Sequence, residues 1–229
     1  MSNELLWLAF ILLDLGAVLL FFRIFGRAGL YMSIITSIIV CNIQVIKLVD
    51  LFGVPATLGN VLYAGIFFST DLLSELYGKK EARRGVWLGF VALISATVYM
   101  QIALHFAPSA ADGAQASLEG VFKFFWRIAL ASIVAYLISQ FHDVWAFQYW
   151  KAATSGRHLW LRNNASTLVS QLLDSVIFCL IAFANEVSGK VLLELIFSTY
   201  LLKLLVAVAD TPFIYLGRRL AARRGEGSG

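Results

Sequence analysis

The sequence "NNASTLVSQLLDSVIF" occupies Asn163–Phe178 and continues into the apolar run "CLIAFAN". Its hydropathy predicts a helix that crosses a membrane. Within it Thr167, Gln171 and Asp174 follow one another at spacings of four and three residues. On an α-helix these positions fall within about 60° of one another, so they line one face. A carboxylate in the apolar interior of a membrane indicates a functional site, with helix–helix hydrogen bonding as the structural alternative.

The composition indicates that the whole chain is a membrane protein. Hydrophobic residues make up 60% of its 229 positions and charged residues only 14%, and the mean hydropathy is +0.80. A soluble domain carries about 25% charged residues. The two cysteines, Cys41 and Cys179, lie inside apolar segments, so the sequence indicates neither a disulfide framework nor a metal site.

Seven apolar segments are long enough to cross a bilayer as helices. At about 1.5 Å per residue, roughly 20 residues cover a hydrocarbon core about 30 Å thick. Because backbone groups in lipid must be satisfied internally, the sequence predicts an all-α polytopic bundle, with a kink at Pro212 in the last helix. The predicted spans are residues 4–22, 30–50, 56–77, 86–106, 122–149, 164–185 and 190–217.

The distribution of basic residues predicts the orientation of this bundle. Four connecting or terminal segments hold 13 of the 18 basic residues, and they alternate with neutral or acidic connections. The positive-inside rule therefore places the N-terminus outside and the C-terminus in the cytoplasm. The four segments are "RIFGRAG", "GKKEARRG", "KAATSGRHLWLR" and "GRRLAARR".

Charged side chains inside the spans are the main functional signal. At membrane depth a charge costs about 2.5–3.5 kcal/mol on insertion scales, so it needs a partner or a wet surrounding. Carboxylates outnumber cations by six to three. The surplus indicates a hydrated cavity, bound protons, or a cationic or hydrogen-bond-donating solute. The cations are Lys47, Arg127 and Lys203, and the carboxylates are Asp14, Asp71, Glu75, Asp143, Asp174 and Asp210.

Several of these charges also have a purely structural interpretation. Asp71 and Glu75 lie one helical turn apart beside the basic segment "GKKEARR", where surface pairing would satisfy both. Arg127 fits an anchor at the membrane interface. Lys203 and Asp210 fit an ion pair that joins two helices.

Motifs of enzyme chemistry are missing from the sequence. It contains no glycine-rich phosphate loop, H-E-x-x-H, G-x-S-x-G or cysteine cluster. The chain is therefore expected to be a secondary carrier or facilitator, not an enzyme or an ATP-driven pump, and to need no cofactor.

Four stretches in the sequence resemble a known family. "TDLLSELYGKKEARRG", "RIALASIVAYLISQFHDVWAF", "NNASTLVSQLLDSVIF" and "KLLVAVADTPFIY" are similar, in order and spacing, to the queuosine precursor transporters, a group also described as a vitamin uptake family. The resemblance covers about residues 30–222 and implies a six-helix transporter core in the bacterial inner membrane. Residues 1–29 depart from this plan as an additional helix with a basic connection, and residues 223–229 are expected to form a disordered tail.

The resemblance also implies a substrate and a set of binding residues. Members of the family import 7-deazaguanine precursors of the tRNA nucleoside queuosine, such as 7-cyano-7-deazaguanine and 7-aminomethyl-7-deazaguanine. Such a base is flat and presents adjacent N–H donors, which a carboxylate accepts side by side. Lys47 and Glu75 are added to the site from their depth and charge alone. The residues carried over from the family motifs are Asn42, Asp71, Arg127, Gln140, Asp143, Gln171, Asp174 and Lys203.

These side chains are expected to meet near the membrane midplane, where the second, third, fifth, sixth and seventh spans converge. The partners expected are the small-molecule base and the lipid bilayer, with no nucleic acid. The G-x-x-x-G motif at Gly85 and Gly89, together with the extra first helix, makes a homodimer an option. Two other functions stay open: a substrate-capturing subunit of a multi-component vitamin importer, and a non-transporting assembly or enzyme subunit whose charges only join helices.

Overall fold

The computed structural model describes residues 2–153, 159–209 and 211–224. Some side chains inside helices also lie outside this description, at positions 140, 143, 144, 147, 148, 150–153, 159–167, 206–209, 211, 214, 223 and 224. The described chain is mostly helical. Its elements are α1 (Asn3–Phe25), α2 (Arg27–Gln44), β1 (Leu48–Leu51), β2 (Val54–Thr57), α3 (Asn60–Tyr77), α4 (Lys79–Leu104), α5 (Gln115–Phe122), α6 (Phe125–Ala153), α7 (Leu159–Phe183), α8 (Gly189–Ala209) and α9 (Thr211–Arg224).

The first helix has a favourable residue at each end. The Ser2 hydroxyl accepts a hydrogen bond from the Leu5 N–H at 3.4 Å, which satisfies one of the free donors at the start of α1. Glu4 in the first turn and Arg23 in the last turn complement the helix dipole. Gly26 ends the helix with φ +59°, a conformation that glycine adopts without strain. Because α2 begins at the next residue, α1 and α2 form a tight helical hairpin.

A short β-hairpin replaces the predicted ends of the second and third spans. Antiparallel β1 and β2 pair from Leu48 with Thr57 to Leu51 with Val54. They are joined by Phe52 and Gly53, whose φ angles of +54° and +80° are typical of the type I′ turn of two-residue hairpins. Hydropathy alone does not distinguish such apolar strands from helix, and a proline at position 55 opposes helical continuation. The strictly all-α prediction was therefore wrong for this segment.

The tip of this hairpin is bound to the start of α1. The Asn3 side-chain amide donates to the Asp50 carbonyl at 3.0 Å, and the Phe52 N–H donates to the Glu4 carboxylate at 3.2 Å. The Trp7 and Phe52 rings also meet edge to face, with their centroids 6.2 Å apart. The additional first helix therefore holds the hairpin as well as packing against the bundle.

Other predicted boundaries also change. The helix α4 begins at Lys79, so only Gly78 separates it from α3, and the basic segment is helical. The predicted seventh span corresponds to two helices, α8 and α9, and Asp210 between them lies outside the described residues. Pro212 lies in the first turn of α9, where a missing N–H costs little. Because α9 extends to Arg224, the first two residues of the predicted disordered tail are helical.

The outer surface of the bundle is apolar. Among the described residues, three segments are long and hydrophobic enough to span a bilayer: Asn3–Phe25, Lys79–Leu104 and Gln115–Ser139. Large side chains on them face outward, and Leu13 and Trp87, for example, are 66% and 63% exposed. An exposed apolar surface of this kind fits lipid rather than water as the solvent. The chain is a membrane protein.

The G-x-x-x-G motif packs inside the chain. A Cβ atom added at Gly85 would lie 2.8 Å from Ile34 Cδ1 and 2.9 Å from Leu73 Cδ1, and one at Gly89 would lie 3.1 Å from Ile34 Cγ2. The absence of side chains thus lets α4 approach α2 and α3 closely. The motif serves this intramolecular contact, so it does not supply an interface for a second copy.

Candidate functional site

Five helices, α2, α3, α6, α7 and α8, surround a small pocket whose wall carries both polar and apolar side chains. Val45 and Phe178 contribute apolar surface. The polar side chains on its wall are Asn42, Asn60, Tyr63, Ser132, Asp174, Thr199 and Lys203.

A buried ion pair forms part of the pocket wall. The Lys203 ammonium on α8 donates a hydrogen bond to Oδ2 of Asp174 on α7. Only 5% of Asp174 and 8% of Lys203 are exposed. The other carboxylate oxygen, Oδ1, has a long contact of 3.5 Å from the Ser139 hydroxyl. The pair satisfies the main electrostatic requirement of two charges removed from solvent.

The same ammonium also covers an aromatic ring. Lys203 Nζ lies 4.5 Å from the centroid of the Tyr63 ring, within the range of a cation–π contact. The rings of Tyr63 and Phe67 meet edge to face, with the two centroids 5.0 Å apart and an interplanar angle of 72°. Carboxylate, ammonium and aromatic ring are therefore adjacent in one pocket.

Amides line the end of the pocket nearest the β-hairpin. Asn42 is 3% exposed, donates to the Ile38 carbonyl at 2.7 Å and accepts from the Ser132 hydroxyl at 2.6 Å. Asn60 donates to the Thr57 hydroxyl at 3.1 Å, which connects the start of α3 to the hairpin. These bonds hold both amides in place on the pocket wall.

Three of the predicted site residues, Asn42, Asp174 and Lys203, line this pocket. Gln171 lies three residues before Asp174, so it is on the same face of α7. It is half-buried and outside the pocket lining, and its Oε1 accepts no hydrogen bond from any described residue.

Three other predicted residues lie away from the pocket. Lys47 is exposed in the turn that leads into β1, because α2 ends before it. Asp71 is exposed on α3. Glu75 is exposed too, and its carboxylate lies 3.5 Å from Nε of Arg218 on α9. Surface pairing, the structural interpretation, therefore applies to Glu75, although its partner is in the terminal helix rather than in the adjoining basic segment.

Arg127 binds the C-terminal end of α7 and does not line the pocket. Its Nε donates to the Ile181 carbonyl at 2.6 Å, and its terminal nitrogens bind the Ala184 carbonyl and, at 2.8 Å, the Glu186 carboxylate. The last carbonyls of a helix lack partners within the helix, and a guanidinium has donors for several of them. This arrangement fits an anchor at the helix end.

The side chains of Gln140 and Asp143 lie outside the described residues, as do the side chain of Thr167 and all of Asp210. The contribution of these side chains to the predicted polar stripe and to the predicted surplus of carboxylates stays a prediction.

Asp14, which the family resemblance does not explain, joins α1 to α3. Its Oδ2 accepts a hydrogen bond from the Gly65 backbone N–H at 2.9 Å, and the residue is only 6% exposed. A Cβ atom at Gly65 would lie 2.5 Å from that oxygen, so glycine is needed for the contact. Asp14 does not line the pocket.

Sequence reasoning left several pocket residues out of the predicted site: Tyr63, Asn60, Ser132 and Thr199. Thr199 precedes Lys203 by four residues and so shares its helix face, a signal that the sequence did contain. Asn60 and Tyr63 are three residues apart on α3, which is the same kind of signal. Ser132 precedes Asp143 by eleven residues, about three helical turns, so it too shares a helix face with a predicted site residue.

An apolar exterior around a buried, charged pocket between helices is the arrangement expected of a membrane transporter. Comparison with known proteins agrees with this class. Residues 57–217 match the family described as "Putative vitamin uptake transporter", and the chain belongs to that family, whose members are transporters and not enzymes.

Curated relatives make the relationship more specific. The chain is 43% identical over 221 residues to the "Probable queuosine precursor transporter" of Bacillus subtilis (strain 168), covering 96% of each chain. It is 30% identical over 161 residues to the protein of the same name from Haemophilus influenzae, covering 69% of this chain and 66% of that one. It is 27% identical over 188 residues to the "Queuosine precursor transporter" of Escherichia coli (strain K12), covering 81% of each. No solved structure matches the chain. The predicted family resemblance is confirmed.

Proposed function

We propose that this chain imports queuosine precursors, 7-deazaguanine bases such as 7-cyano-7-deazaguanine and 7-aminomethyl-7-deazaguanine, across the bacterial inner membrane. The observation that carries the proposal is the buried Asp174 carboxylate in a pocket formed by five helices. The names of the relatives support the substrate class.

The chemistry of the pocket suits such a base. The adjacent N–H donors on the pairing edge of a 7-deazaguanine match the two oxygens of Asp174, and charge-assisted bonds are roughly twice as strong as neutral ones. The ring carbonyl needs a donor, which Lys203 offers from the same wall. A base that lacks the donor edge would leave the polar atoms of this site without hydrogen-bond partners. The site therefore discriminates against such bases.

The depth of the ion pair also supports a transport site. Asp174 lies nine residues before the end of α7 at Phe183, a distance of about 14 Å along the helix. This is about half of a hydrocarbon core of about 30 Å. A midplane site is where carriers bind a solute that is released alternately to the two sides.

Our proposal keeps seven spans, with the N-terminus outside and the C-terminus in the cytoplasm. In support, three of the four basic segments lie at one end of the bundle: Arg27 on α2 lies 3.4 Å from Glu81 on α4, and Arg218 on α9 pairs with Glu75 on α3. The β-hairpin connects the C-terminal end of α2 to the N-terminal end of α3, and both of these ends lie away from the basic segments. The basic end then faces the cytoplasm under the positive-inside rule. Residues 1–29 would add one helix to a transporter core at 30–222.

Uptake by the purified chain in liposomes tests this function. Liposomes that contain the chain alone should take up labelled 7-cyano-7-deazaguanine, and Asp174→Asn should abolish the uptake. The matched control is Asp112→Asn, an exposed carboxylate in the connection between α4 and α5. A folded wild-type protein that transports neither 7-deazaguanine would refute the proposal. Uptake that appears only with an added ATPase module would instead identify a subunit of a larger importer.

A further inference from the structure

Tyr63 presents an aromatic face to the same pocket as the ion pair. Its ring is on α3 and packs in an edge-to-face pair with Phe67, one turn further along the helix. The face of the ring is covered by the Lys203 ammonium at 4.5 Å. Ring faces at this kind of site bind either a cation or another flat π-system.

The ammonium that covers the ring is held by few bonds. Lysine has three donors, and among the described residues Lys203 donates one hydrogen bond, to Asp174. Its charge is carried on a flexible four-carbon chain, which can move the ammonium without moving α8. The two groups that hold the ammonium, a carboxylate and a ring face, are the two that a flat base with adjacent N–H donors would also bind.

We infer that Tyr63 is the stacking platform of the transport site, and that a planar ligand and the Lys203 ammonium compete for its ring face. The inference rests on the proposed function and names a specificity-determining residue for it. A bound base stacks on Tyr63 and donates to Asp174, while Lys203 turns toward the ring carbonyl of the ligand. The platform favours flat heterocycles over other solutes of equal size and polarity, since a saturated ring gains no stacking.

Substitution of Tyr63 tests the platform. The dissociation constant for 7-cyano-7-deazaguanine is measured on the purified full-length chain in detergent. Tyr63→Leu should weaken binding at least about tenfold, the loss typical of a stacked base. Tyr63→Phe keeps the ring and should bind within about threefold of the wild type. Tyr63→Met removes the ring too, yet fills irregular space well, so it replaces the leucine variant if that does not fold.

Tyr77 provides a matched control. It is on the same helix and also lies under a cation, with Arg27 5.8 Å from its ring centroid, but it is outside the pocket. Tyr77→Leu should leave the dissociation constant unchanged.

The possible results separate the two proposals. If the wild-type chain binds no 7-deazaguanine, the proposed function fails, and the platform fails with it. If the wild type binds but Tyr63→Leu or Tyr63→Met binds equally well, only the platform is overturned.

Discussion

Lys203 and Asp174 join α8 to α7 through a hydrogen-bonded ion pair whose side chains are only 6% and 7% exposed. Because both charges are buried, the stability of the helical bundle depends on the same two side chains that line the pocket. A residue that holds two helices together and also faces the solute is expected to affect folding and binding together. Experiments on this site therefore need to measure both.

The first prediction concerns the energetic coupling of this pair. Asp174→Asn and Lys203→Met should each lower the free energy of unfolding by about 3–5 kcal/mol, because each leaves a buried charge without its partner. A double variant with two apolar side chains, Asp174→Leu with Lys203→Met, should recover much of this loss, since a well-packed hydrophobic pair of similar volume is often as stable as a buried ion pair. Denaturant-induced loss of helical circular dichroism in detergent measures all three. Additive losses in the double variant would contradict the coupling.

A second prediction concerns the contact between Asp14 and Gly65. Gly65→Ala would place a Cβ atom 2.5 Å from the carboxylate, and the resulting overpacking should cost about 1–3 kcal/mol of stability. Gly16→Ala is the control on α1, because nothing lies within 4 Å of its added Cβ. That substitution should stabilise the helix by about 0.5–1 kcal/mol. Equal effects of the two changes would show that Asp14 does not dock α1.

The third prediction addresses the G-x-x-x-G motif. Gly85→Ala should reduce the free energy of unfolding by about 1–3 kcal/mol through contact with Ile34 and Leu73. It should leave the mass of the protein in detergent unchanged by light scattering. Gly120→Ala, with no atom within 4 Å of the added Cβ, is the control. A wild-type oligomer that dissociates in Gly85→Ala without loss of stability would contradict the intramolecular role.

A fourth prediction uses the two cysteines as reporters of the pocket. Cys41 lines the pocket and is 4% exposed, whereas Cys179 is fully buried and not part of its lining. In a Cys179→Ala background, a saturating 7-deazaguanine should slow the labelling of Cys41 by a small thiol reagent. In the Cys41→Ala background the ligand should not change the labelling of Cys179. Faster labelling of Cys41 with ligand present would place the solute elsewhere.

Charge in an apolar segment was the most informative signal in the sequence. Hydrocarbon penalises every ionised group, so Asp174 and Lys203 could be singled out without any structure. Their partnership could not be predicted, because it depends on how α7 and α8 face each other. The sequence pattern instead offered Asp210 as the partner of Lys203. Arg127 and Glu75 are also charged residues within predicted spans, but Arg127 binds the end of a helix and Glu75 pairs at the surface. The position of a charge along a span therefore matters as much as the charge itself.

Two features escaped the sequence analysis for physical reasons. Aromatic residues form 14% of the chain, so Tyr63 differed from the rings that face lipid only in lying three residues after Asn60. The hydropathy of residues 45–59 resembles that of an apolar helical segment, so hydropathy could not reveal the β-hairpin. The local signals were Gly53 and Pro55, which are typical of turns and opposed to helix interiors.

The two helices that carry the buried pair are consecutive in the chain and are separated only by residues 184–188. During synthesis the Lys203 ammonium on α8 reaches the bilayer soon after the Asp174 carboxylate on α7. The two helices can therefore enter as one antiparallel unit in which the opposite charges of Asp174 and Lys203 cancel. Each group alone would oppose insertion by about 2.5–3.5 kcal/mol on scales measured at the translocon. Biogenesis of the protein is therefore expected to depend on the last two long helices entering the lipid together.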